Sequence, residues 1–137
     1  MSDKTFKPSL VGVHVKTAFL PAHSNPQYDQ YTFAYSITIS NGSDLPVQLM
    51  SRHWVITDAG GRVQEVKGDG VVGEQPVIAP NGSFHYSSGA TLETPVGYME
   101  GRYFMVVREP PEISPQDLPT FEVPIPAFSL HTPTALN

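Results

Sequence analysis

Three glycines in the pattern Gly68-x-Gly70-x-x-Gly73 have the spacing with which backbone amides meet a pyrophosphate at the start of a helix. That chemistry needs a strand before the loop and a helix after it. Pro76 and Pro80 leave no room for the helix, and Asp69 and Glu74 would repel phosphate. Glycines at positive φ can still form an amide nest for an anion without a helix, which makes Gly68, Gly70 and Gly73 candidate anion or nucleotide contacts. The reading preferred on residue chemistry is a loop whose glycines permit a sharp change of direction.

The other reactive residues are scattered. His14, His23, His53, His85 and His131 fall in five separate segments with no paired ligand spacing, so no metal site is expected and direct binding of a divalent metal ranks third among the readings. Ser87-Ser88-Gly89 lacks the strand-to-helix elbow of a catalytic serine and reads as a turn. Carboxylates such as Glu65 and Asp69 read as solvated, and no acid–base pair emerges, so the expectation is a protein that is not an enzyme and carries no cofactor. Arg52-His53-Trp54 is more informative, because period-2 alternation puts Arg52 and Trp54 on one face. Trp54 reads first as a core anchor with Arg52 at its edge; the functional alternative is a partner-facing patch made of the two.

The elements that must position these groups are strands. Val11, Val13 and Val15 alternate with Gly12, His14 and Lys16, and Tyr31, Phe33, Tyr35, Ile37 and Ile39 share one face of the clearest strand, which should be central. Pro46 to Thr57 reads as a third strand, turned back by Asp58-Ala59-Gly60-Gly61 into Arg62–Val66 as a hairpin. Gly68 to Pro76 reads as irregular loop. Further strands run through Phe84 and Tyr86, from Gly97 to Val107, and through Phe121, Val123, Ile125 and Ala127, where Pro124 and Pro126 place the last strand at a sheet edge. The proline-rich stretch from Pro110 to Pro119 reads as loop with at most one short helical turn. About seven or more short antiparallel strands without a convincing helix describe an all-β sandwich. No internal repeat or second composition regime appears, so residues 1–137 read as one domain, with a core from about 10 to 128 and flexible termini.

With 137 residues and no cysteine, the chain must be held by its apolar core, and folding should need neither metal nor cofactor. Its net charge of -5, with no basic run, argues against nucleic acid as a partner. No stretch approaches a membrane span or a signal-peptide core, so no membrane role and a cytoplasmic location are expected.

Read together and in order, Ser51-Arg52-His53-Trp54, Gly68-x-Gly70-x-x-Gly73-Glu74-Gln75-Pro76, Tyr86-x-Ser88-Gly89 and Gly97-x-Met99-x-Gly101-x-Tyr103-x-Met105 resemble the ApaG family. The resemblance extends from about Val11 to Phe128. It implies an immunoglobulin-like or fibronectin-type-III-like sandwich and an association with divalent-cation homeostasis, notably of cobalt and magnesium. Related domains in F-box proteins and in a DNA-polymerase-interacting protein imply a protein-interaction module, whereas the family's glycine loop underlies the alternative of a pyrophosphate or nucleotide ligand. The expected partner is therefore a protein of unidentified kind, with a phosphate-containing small molecule as the alternative; the oligomeric state stays open.

Overall fold

The computed structural model of the chain describes residues 6–134; the expectation of flexible termini falls partly on residues 1–5 and 135–137, which lie outside the described residues. Among the described residues eight strands follow in order: β1 (Val11–Phe19), β2 (Tyr31–Asn41), β3 (Val47–Asp58), β4 (Val63–Asp69), β5 (Val77–Ile78), β6 (Ser83–Leu92), β7 (Val96–Val107) and β8 (Thr120–His131). They form two antiparallel sheets, ordered β1-β2-β6 and β4-β3-β7-β8, with the short β5 paired to β3 alongside β4. This is the all-β sandwich that the alternation predicts.

The alternation of β2 explains its place. Phe33, Tyr35, Ile37 and Ile39 point inward and are buried, while Thr32, Ser36 and Thr38 face outward and meet hydroxyl or imidazole partners across the strand pair with β6. Against this inner face pack Val47, Leu49, Trp54 and Ile56 of β3, Met99, Tyr103 and Met105 of β7, and Val123, Ile125 and Leu130 of β8. Fully burying side chains of this size contributes about 1.5–3 kcal/mol each against leaving them in water.

Two strands change phase partway. In β3 the inward residues are Val47 and Leu49, then Trp54, Ile56 and Asp58, because a bulge at Met50 inserts one residue between Leu49 and Ser51. In β8 the register shifts opposite the Met99–Gly101 segment of β7, so Phe128 and Leu130 turn inward where simple alternation would place Ala127. Ala127 is exposed, which corrects the sequence expectation.

The hairpin between β3 and β4 forms where expected. The Asp58 carboxylate Oδ1 accepts the N–H groups of Gly60 and Arg62, both at 2.9 Å, and so holds the turn shut. The last strand lies at a sheet edge, as its two prolines require. Ser87-Ser88-Gly89, read as a turn, instead lies within β6, whose pairing with β2 runs from Ser83 to Leu92. Cross-strand hydroxyl bonds such as Ser36 to Ser87 at 2.8 Å suit these residues to a half-exposed strand, which turn propensity alone overlooks.

Candidate functional site

The two sheets do not close equally at their sides. The β1 and β8 edges approach one another, and Phe6 packs on Phe121 there with ring centroids 4.8 Å apart. At the opposite side the β4 and β6 edges flank a cleft of about 520 Å³. Tyr35, Trp54 and Met99 line its depth, Gln64, Val66 and the Asp69–Gly73 segment one wall, and Ser88 to Thr91 the other. Pockets of a few hundred Å³ suit small ligands or single side chains of a partner.

The glycine segment is built onto the bulge in β3. Gly68 is not in a loop, as the sequence reading has it, but in β4, opposite Arg52. A Cβ added there would stand 2.9 Å from the Arg52 Nη1, so the missing side chain is what lets arginine lie across the strand. After β4 the chain turns outward, and the Met50 carbonyl, freed by the bulge, accepts both the Gly70 N–H and the Gln75 Nε2 at 2.9 Å. Between these anchors Val71 and Glu74 exchange backbone bonds of 2.8 and 2.9 Å around a two-residue turn, with φ of 43° at Val72 and 81° at Gly73. Positive φ at both central positions is the turn that follows strand twist and favours Asn-Gly. A Cβ on Gly70, at φ 62°, would meet the Glu74 carbonyl oxygen at 2.1 Å, so only glycine fits.

Arg52 clamps this segment from below. Its Nη1 donates to the carbonyls of Asp69 at 3.1 Å and Gly70 at 2.8 Å, and among the described residues no carboxylate pairs with it. Trp54, two residues on, is 2 % exposed and packs on Tyr35, Tyr103 and Phe128 with centroids 5.4, 6.3 and 5.9 Å away. Arg52 and Gly73 thus line the cleft, Gly68 and Gly70 shape the strand and turn that seat the arginine, and Trp54 lies beneath in the core at the cleft floor. Of the glycine amides, that of Gly68 belongs to the β3–β4 ladder and that of Gly70 is bonded to Met50.

Sequence reading misses three contributors. The Met50 bulge has no local signature. Tyr86 and Tyr103 share a 2.5 Å hydroxyl–hydroxyl bond between the sheets, one from β6 and one from β7, and nothing in their spacing announces it. Burial, the largest cause, pushes both hydroxyls well above the ordinary tyrosine range, with the Arg52 charge opposing it, so both stay protonated. Val72, 55 % exposed in a backbone conformation that a β-branched residue rarely adopts, is visible only once φ is known. Among the described residues no group of three or more His, Asp or Glu side chains could hold a metal ion. Among the described residues no helix is long and apolar enough to cross a membrane.

Fold and site together define a β-sandwich with an arginine-bearing cleft between two sheet edges. The family model described as the ApaG domain matches residues 21–115, and the chain belongs to the ApaG family. It is 53% identical to Protein ApaG of Ralstonia nicotianae over 125 residues, 91% of this chain and 94% of that one. Over 137 residues and the whole of both chains it is 45% identical to Protein ApaG of Azotobacter vinelandii. Among solved structures, an ApaA protein from Bordetella pertussis is similar with a TM-score of 0.81 at 44% identity, covering 91% of this chain and 95% of that one.

Proposed function

We propose that the chain is a non-enzymatic binding module that takes an extended segment of a partner protein along the free edge of β4, with that segment's inward side chains entering the cleft. The observation that carries this is the β4 edge, unpaired among the described residues, beside an open cleft. The phase of the ladder follows from two bonds, Gly70 N–H to Met50 and Asp58 N–H to Arg62, which put the even-numbered residues of β4 in bonded pairs with β3. Alternation then turns the backbone N–H and C=O of Glu65 and Lys67 outward, where an added strand would meet them.

Exposed apolar side chains follow the same edge: Val63 and Val66 on β4, Val72 on the turn and Val77 on β5. Val72 is the most telling, because holding a β-branched residue at φ 43° costs about 1–3 kcal/mol and Asn would sit there without strain. An exposed valine kept at that expense suits a contact surface. The charges of Glu65 and Lys67 on the strand guard it against indiscriminate pairing, so selectivity falls to the cleft. On this reading the association with divalent-cation homeostasis that the resemblance implies runs through the partner, and the cysteine-free chain suits a cytoplasmic setting.

The test is selection of displayed random peptides on the protein, followed by mapping of a selected peptide through backbone amide shifts. Extended, β-branched peptides that move the β4 resonances are expected. Lys67→Pro should abolish their binding while leaving the fold intact, because it removes an outward N–H and no bond to β3. Selected peptides that leave the β4 amides unmoved would refute the proposal.

A further inference from the structure

Resting on the strand-addition reading above, we infer that Arg52 selects an acidic side chain of the added segment, at the position in register with Gly68. Arg52 sits on β3, one strand in from the edge, yet the residue opposite it on β4 has no side chain. Its guanidinium occupies that space, 2.9 Å from where a Gly68 Cβ would be, and so reaches across β4 towards the free edge. A strand added there would lie about 4.8 Å beyond β4, with the residue in register with Gly68 on the cleft side.

The seating of the guanidinium specifies the chemistry. Both protons of Nη1 are directed to the Asp69 and Gly70 carbonyls, which fixes the plane of the group. Nε and Nη2 have no partner among the described residues, and these two form the edge that binds a carboxylate through two parallel bonds. Arg52 is half-buried, lines the cleft, and carries a charge that no carboxylate among the described residues offsets. The net charge of -5 favours a singly charged carboxylate over a more highly charged anion. The glycine pattern acquires a different purpose from pyrophosphate binding: Gly68 gives the arginine its path, and Gly70 makes the turn that presents a carbonyl to hold it.

The same peptide selection tests this, using unmodified peptides and the full chain. Selected peptides should carry Asp or Glu at one fixed position, and replacing that residue by the amide should weaken binding to the unaltered protein about 10- to 100-fold. The Arg52 Nε–H resonance should shift on binding the acidic peptide and not the amide. Arg52→Lys, which keeps the charge but loses the fork, should bind acid and amide peptides within about threefold of each other, the remaining discrimination of a single-point charge. Because the peptide is changed as well as the protein, a loosened glycine segment in the variant cannot mimic the result. Peptides that add to β4 with no acid at a fixed position, or an amide replacement without effect, would overturn the role of Arg52 and leave strand addition standing. Absence of any β4-binding peptide would overturn both.

Discussion

Replacing Gly70 by Ala and, separately, Gly73 by Ala should give clearly unequal losses of stability, although both glycines have positive φ. At Gly73, φ is 81° and an added Cβ would have nothing within 4 Å, so only the left-handed conformation is penalised, by about 1–2 kcal/mol. At Gly70, φ is 62° and the added Cβ would lie 2.1 Å from the Glu74 carbonyl oxygen, a separation that backbone cannot tolerate. The turn must then move away, and the paired Val71–Glu74 bonds weaken or break at about 0.5–1.5 kcal/mol each. Adding these to the same conformational penalty gives about 2–5 kcal/mol for Gly70→Ala, about 2 kcal/mol beyond Gly73→Ala at mid-range. With roughly 3 °C of melting temperature per kcal/mol at this size, the two variants should be separated by about 6 °C. Urea unfolding followed by the fluorescence of Trp54, the single tryptophan, measures both on one probe. Equal losses, or a larger loss at Gly73, would refute the placement of the turn and with it the seat of Arg52.

Trp54→Ala should destabilise by about 3–5 kcal/mol in thermal or urea unfolding, since it empties the centre of the aromatic cluster formed with Tyr35, Tyr103 and Phe128. Val72→Asn should raise stability by about 1 kcal/mol, by placing Asn-Gly in a turn that favours it, and should weaken binding of β4-selected peptides. The raised pKa values of Tyr86 and Tyr103 mean that the native state holds protons that the unfolded chain releases near pH 10; their contribution is complete below about pH 10 and is lost above it, at up to about 1.4 kcal/mol per pH unit for each group. Tyrosinate absorbance should therefore show two of the six tyrosines failing to ionise until the protein unfolds at high pH, and stability should fall less steeply with alkali in Tyr86→Phe. Titration calorimetry with pyrophosphate should show no saturable binding tighter than about 1 mM, because the Gly70 amide is already bonded to Met50.

Local pattern carried much of the fold. Five apolar residues alternating along Tyr31–Ile39 determine that β2 is a strand with one buried face, since no other regular conformation puts every second side chain on one side. Asp58 before Ala59-Gly60-Gly61 determines the hairpin, because its carboxylate finds the turn amides within four residues. Pro124 and Pro126 determine an edge, since neither can donate to a ladder. All three are decided by interactions within a few residues, and so they can be read from the chain.

The site is legible only in its ingredients. Arg52, Gly68, Gly70 and Gly73 stand out by type and spacing, but that they meet beside one cleft depends on a bulge at Met50 that only the pairing of β3 with β7 requires. The core place of Trp54 with Arg52 beside it is read from their shared parity, but the bulge that lets Val47 and Leu49 face the same side as Arg52 and Trp54 is a shift of one residue that sequence pattern cannot register. The Tyr86–Tyr103 bond joins residues on different sheets, and the free edge of β4 exists because its hairpin partner β3 takes β7 as its other neighbour. Residue chemistry determined what the strands and turns would be; long-range packing decided which faces met and which edge was left open, because contacts between distant segments depend on register and register is a property of the assembled sheets.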